Sequence, residues 1–215
     1  MIRDTAVDLL MKRLGNRKDA ALRDTIISEM VYVQEDMLEQ DPTLPWFLVS
    51  ELADATTTVD DDRVVLPGDF LQEFEDGALY VLDDSGTELE LFREDWDYLK
   101  QKVTGSGRPR YYDLVGDYIM LRKVPDEQYT LKMRYYKKAA SLAGTYGDSA
   151  NIENKWLEYA SALLIAETGV VVAAQHLQSD KMAQLFMKQA DLARNQLLRK
   201  NTAMAESNKS RLMEG

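Results

Sequence analysis

The 215 residues contain no cysteine and a single histidine, His176. The first absence removes disulfides, thiolate nucleophiles and cysteine-based zinc sites together. The second leaves no pair of imidazoles for a metal and only one residue that could serve a serine as base. Long apolar runs are missing too. The longest is about eight residues, around Gly169 to Ala174, where a bilayer-spanning helix needs about 20. The opening stretch "MIRDTAVDLL" carries Asp4 and Asp8 where a signal peptide needs an apolar core, so no secretion signal and no membrane association are expected. What is there suits a soluble protein made in the cytoplasm: 45% hydrophobic residues, enough for a proper core, and a formal net charge of −11. The charge is uneven. Residues 54–99 hold fifteen Asp/Glu against two Arg, whereas residues 181–215 hold seven Lys/Arg against three Asp/Glu. Such asymmetry concerns partners more than fold, unless the acidic stretch is merely a solvated face.

The texture changes twice along the chain. "IRDTAVDLLMKRLG" predicts a short helix stopped by Gly15. In the next, Asp19 is a cap, Leu22, Ile26, Met30, Val33 and Met37 make one stripe, and Asp41-Pro42 is the end. Trp46 and Phe47 follow Pro45 as core anchors or as a protomer contact. From Ala55 the residues become β-branched, acidic and broken by turn signals. Strands are expected at 63–66, 78–82, 88–92, 117–122 and 129–135, with "DDSG" a turn and "REDWDYLKQK" helical. The last two strands read as a β-hairpin across Pro125, Asp126, Glu127 and Gln128. Helical texture returns at Asn151, with Trp156, Leu157, Ala160, Leu163 and Leu164 on one face. Ser179-Asp180 then caps a last helix carrying Met182, Leu185, Phe186, Ala190, Ala193 and Leu197. Beyond Asn201 large apolar residues are few, so the end should be mobile in isolation. The expected fold is α+β: an antiparallel-type helical bundle (1–54 and 150–200), a small antiparallel β insertion module (55–149) and an extended C-terminal tail (201–215). Leu22, Ile26, Met30, Val33, Trp156, Leu163, Leu185 and Phe186 should fill the bundle core.

Catalytic signatures are lacking. Asp60-Asp61-Asp62, Asp83-Asp84 and Glu94-Asp95-Asp97 have the oxygen ligands that magnesium or calcium prefers. Consecutive residues on an extended chain point apart, however, and no D-x-D-x-D-G spacing occurs. "TGSGRPR" and "AGTYGD" lack the lysine and strand-to-helix setting of a phosphate loop. His176 beside Gln175 and Gln178 reads as an exposed histidine. Tyr111-Tyr112 and Tyr135-Tyr136 could stack on bases, or be strand residues with one face buried. No enzyme, metal or cofactor is expected; a metal-dependent hydrolase using the acidic clusters is the alternative.

"RVVLPGDFLQEF" resembles the LP-x-DF segment of tailed-bacteriophage head-to-tail adaptor proteins, the connectors of the neck. "GRPRYYDLVGDYIMLRKVPDEQYTLKMRYYKK" is similar to that family's later signature, and "NKWLEYASALLIAE" to its tryptophan-led helix, here with Lys155 between Asn154 and Trp156. The likeness spans roughly residues 60–170. It implies a structural virion protein that forms a dodecameric ring beneath the portal protein, extends the DNA channel and offers a platform to tail or nozzle proteins. Another tail or neck component is the alternative within the virion. The C-terminal segment of such proteins docks on the portal, which here singles out Lys209, Arg211, Leu212 and Met213. The hairpin tip, Pro125, Asp126, Glu127 and Gln128, would contact a neighbouring protomer or the tail. A net negative chain suits a wall past which DNA slides without specific binding, since each phosphate contact by lysine would hold it back.

Overall fold

A computed structural model describes residues 1–40, 45–74, 79–83, 85–148 and 154–213. In chain order the elements are α1 (Arg3–Arg13), α2 (Ala20–Gln40), a 3₁₀ turn (Trp46–Leu48), β1 (Val49–Thr56), β2 (Arg63–Val65) and β3 (Phe70–Glu73). Then come β4 (Leu79–Leu82), β5 (Glu88–Glu90), β6 (Phe92–Arg93), α3 (Trp96–Lys102), β7 (Tyr111–Val115), β8 (Tyr118–Arg122) and β9 (Thr130–Lys137). The chain closes with α4 (Lys155–Tyr159), α5 (Ser161–Val171), a π-helical turn (Val172–His176) and α6 (Asp180–Met213). The fold is α+β. Contacts divide it into two units, Met1–Leu48 with Ala139–Gly215, and Val49–Lys138.

The helical unit is organised around α5. Leu163, Leu164, Ile165, Ala166, Thr168 and Gly169 are all buried, so this helix is enclosed by neighbours, with α2 and α6 against it and α1 and α4 adding to the contact. The Thr168 hydroxyl donates a hydrogen bond to the Leu164 carbonyl, which lets a polar side chain sit in the core. The α2 stripe is as expected: Leu22, Ile26, Met30 and Val33 are buried, and Asp19 Oδ1 accepts the Ala21 amide at 3.0 Å. Asp41 and Pro42, the expected end of α2, lie outside the described residues. The helical segment expected from Asn151 to the cap at Ser179-Asp180 is instead α4, α5 and the π turn; its start at Asn151 lies outside the described residues, and Asn154 caps α4 by accepting the Leu157 amide. Phe47 packs edge-to-face on Trp156 at 5.3 Å and stacks on Tyr159.

Two expectations need correction here. Leu185 is not a core residue: it is 56% exposed, while Phe186 is 1% exposed. A Cβ on Gly169 would lie 2.5 Å from the Phe186 ring, so the bare glycine is the seat of that ring. Seating Phe186 there turns Leu185, about 100° away around the helix, toward solvent. The extended tail is likewise not observed, for the backbone continues in α6 through Met213. Residues 202–213 contain no Gly or Pro, and adding residues to an existing helix escapes the cost of nucleation.

The second unit is two sheets packed face to face. One has the order β1-β9-β4-β5, with β3 also on β9; the other is β2-β8-β7-β6. Between them lie Leu79, Val81, Leu131 and Met133 from the first, and Val64, Tyr112, Ile119 and Leu121 from the second. Among the described residues the strand pairs are antiparallel except β6 with β7. The hairpin expected across Pro125 does not form. β8 pairs with β7 through the Gly116-Asp117 turn, where Gly116 takes φ +59°, and with β2 on its other side. β9 pairs with β1, β3 and β4 in the opposite sheet. Alternation correctly places Ile119, Leu121, Leu131 and Met133 toward apolar neighbours, but those faces meet across the core rather than along one sheet. β1, β3 and β7 lie outside the expected strand ranges; β1 begins at Val49, earlier than the expected boundary at 55.

Candidate interaction surfaces

Pro125–Gln128 carries the chain from one sheet to the other, and it is tied down rather than projecting freely. The Pro125 carbonyl accepts the Asp60 amide at 2.9 Å. Thr57, itself buried, donates its hydroxyl to the Glu127 carbonyl and accepts the Tyr129 amide. Asp126, Glu127 and Gln128 remain exposed. The Tyr129 hydroxyl donates to Asp126 at 2.8 Å; burial, then the Asp126 and Glu127 carboxylates, push this phenol well above its ordinary range. It therefore stays a proton donor throughout the physiological range. At the other end of the chain, Lys209, Arg211, Leu212 and Met213 fall on the last turns of α6; their side chains lie outside the description.

Each acidic cluster has members engaged locally. Asp61 accepts the Arg63 amide, Asp62 pairs with Arg122 at 3.2 Å, and Asp95 caps α3 through the Tyr98 amide. Asp83 accepts from the Ser85 hydroxyl and from the Ser85 and Thr87 amides. The Ser85 hydroxyl first, then the Thr87 amide, hold its carboxyl below the usual carboxylate range. Its neighbour Asp84 lies outside the described residues. Among the described residues no three His, Cys, Asp or Glu side chains converge as a metal site would require. The tyrosine pairs are strand residues. Tyr112 is fully buried with its hydroxyl on Glu73, and Tyr135 is buried with its hydroxyl on Asp69. His176 Nε2 lies 2.8 Å from Glu29 Oε1.

A groove of about 240 Å³ opens in the helical unit, a feature the sequence did not announce. Val33, Met37, Trp156, Leu163 and Leu197 line it, together with the Glu167–Arg194 ion pair. Burial dominates at Glu167 and raises its pKa; Arg194 opposes this, while Asp191 and Asp36 reinforce it. A carboxyl whose folded pKa exceeds its unfolded value stabilises the fold most below that unfolded value, and the contribution is lost as pH rises through the folded one. Replacing Glu167 by Gln should therefore flatten the fall in stability above the ordinary value of 4.5. Urea midpoints followed from acid to neutral pH test this, and an unchanged slope contradicts it.

Outward-facing apolar residues concentrate in two places. On α6, Leu185 and Leu192 are 56% and 66% exposed, with Met187 and Leu198 exposed on the other flank. On the edge strand β6 and the first turn of α3, Phe92 and Tyr98 are 60% and 53% exposed. The surroundings differ in sign. α6 carries seven Lys/Arg against three Asp/Glu, whereas Phe92 and Tyr98 bracket Glu94, Asp95 and Asp97. Sequence reasoning found the charge asymmetry but not these apolar strips, because exposure of a leucine on an amphipathic helix depends on how the helix is turned.

No helix among the described residues is long and apolar enough to cross a membrane. No curated protein matches the chain. The family model described as SU10 adaptor protein matches residues 4–211, from the second residue of α1 almost to the end of α6, across both units. With nearly the whole chain matched, the protein belongs to the SU10 adaptor family of tailed-bacteriophage head-to-tail adaptors, as a structural component of the virion.

Proposed function

We propose that this protein is the non-enzymatic connector of the phage neck: twelve copies form a ring beneath the portal, extend the DNA channel and present a platform to the tail. The carrying observation is the family match across residues 4–211, which takes in the helices, both sheets and α6. Supporting it, α6 spans 34 residues, about 50 Å at 1.5 Å per residue, and ends in the basic and apolar cluster Lys209, Arg211, Leu212 and Met213. A helix of that reach, with cations near its C-terminus where the helix dipole favours them, suits docking into an acidic or apolar cleft of the portal. Pro125–Gln128, held firmly at its base, suits a rigid contact with a neighbour or with the tail. The net charge of −11 lets DNA pass without being held.

The test uses isolated portal rings. The full-length chain should decorate them, and a chain lacking residues 202–215 should stay folded and soluble but bind many-fold more weakly. Each docked helix raises the effective concentration of the next copy, so loss of a small anchor repeated around a ring has a large effect. Undiminished binding by the truncated chain would move the joint to another part of the protein.

A further inference from the structure

Along α6, Lys181, Leu185, Lys188, Leu192 and Arg199 follow at spacings of four, three, four and seven, the repeat that keeps side chains on one stripe of a helix. All five are exposed, so the stripe is a row of leucines set among cations that the single chain leaves uncovered. The strip on the sheet unit is its counterpart. Phe92 lies on β6, whose outer edge has no pairing strand among the described residues, and Glu94, Asp97 and Tyr98 surround the start of α3. These four are exposed as well. Large apolar groups on an open edge are a site for another chain. Acidic neighbours turn DNA away and favour a cationic partner.

We infer that the Lys181–Arg199 stripe of α6 docks on the Phe92–Tyr98 strip of a second copy of this chain. Leu185 and Leu192 meet Phe92 and Tyr98, while Lys181, Lys188 and Arg199 meet Glu94 and Asp97. Charge complementarity selects this occupant: Lys181, Lys188 and Arg199 outnumber Asp191 along the α6 stripe, Glu94, Asp95 and Asp97 outnumber Lys100 around Phe92 and Tyr98, and every copy carries both. The two surfaces are different, so the contact can repeat head to tail, and it then generates a closed ring or an open filament. This inference rests on the ring reading above and supplies the surfaces that would build it.

The experiment is charge reversal on each side, Lys188→Glu and Glu94→Lys, in the full-length chain. Both side chains are exposed, so folding should be unaffected, as circular dichroism would verify. Assembly is followed by sedimentation velocity of the chain alone at high concentration and in the presence of isolated portal rings. Each single variant should associate at least about tenfold more weakly than the wild type. An equimolar mixture of the two should recover, since in an alternating ring every reversed lysine meets a reversed glutamate and every native pair is retained. Assembly of either variant at wild-type strength, or a mixture that fails to recover, overturns this interface while leaving the ring intact as a reading. So does self-association that survives reversal while portal binding is lost, which would place the α6 stripe on the portal. A wild-type chain that never associates with itself, with or without the portal, removes the ring reading and this interface with it.

Discussion

Replacing Trp156 by Ala should cost the helical unit about 3–5 kcal/mol, the range for removing a buried aromatic side chain. The indole is 2% exposed and meets Phe47 edge-to-face, with Phe47 in turn stacked on Tyr159 and touching Trp46. Deleting it leaves a void that Leu163 and Phe47, themselves buried among other contacts, cannot collapse to fill. The loss should not scale simply with size. Trp156 Nε1 is buried and meets no hydrogen-bond partner among the described residues, and an unmet donor costs about 1–3 kcal/mol. Trp156→Phe removes that donor while keeping most of the ring, so it should lose much less than Trp156→Ala. Urea unfolding monitored by helical circular dichroism distinguishes the two variants. Equal losses would mean that the phenyl ring recovers none of the packing of the indole.

An equally large effect is expected at Arg3, which is 1% exposed although it stands in the first turn of the chain. Its guanidinium donates to the carbonyls of Leu142, Ala143 and Thr145 and pairs with Asp4. The fit is tight: a Cβ on Gly144, at φ +131°, would lie 2.8 Å from Nη1. Hydrogen bonds to a charged group are worth about 1.5–3 kcal/mol each, and their removal would strand carbonyls that water reaches only partly. Arg3→Met keeps the apolar stem but none of the donors, and should lose about 3–5 kcal/mol. Arg3→Lys should recover only part, because a single ammonium cannot reproduce the planar fork that reaches three carbonyls. Matching stabilities for the Met and Lys variants would show that packing, and not the three hydrogen bonds, holds the helix in place. Because these carbonyls follow the sheet unit in sequence, the same substitution should also free residues 142–145 to exchange amide protons faster.

Several features were legible from local order alone. The stripe Leu22, Ile26, Met30 and Val33 recurs at helical spacing, and one face of α2 is buried as that spacing requires. Ile119 and Leu121, and Leu131 and Met133, alternate as strand residues do, and all four are buried. The motifs from Arg63 to Glu167 pointed to the adaptor family that the match over residues 4–211 shows. Periodicity and motif order reside in neighbouring residues, so no knowledge of the fold was needed to read them.

Partnership between distant segments was decided only in three dimensions. Alternation states which side of a strand is apolar but not which strand lies beside it, and so β8 and β9, joined by Pro125–Gln128, were assigned to one hairpin when they belong to opposite sheets. The Thr57 hydroxyl that ties the connection to β1's end comes from 70 residues earlier in the chain. The exposure of Leu185 followed from the seat that Gly169 makes for Phe186, a contact between two helices that sets the rotation of one of them. The helical state of residues 201–213 followed from what precedes them, since a turn that cannot nucleate alone can extend a helix already formed. Composition and spacing thus determined the α2 stripe, the alternation of β8 and β9, and the family. Long-range pairing and close packing, which depend on atoms far apart in the chain, determined the two sheets, the groove beside Trp156 and the two uncovered strips.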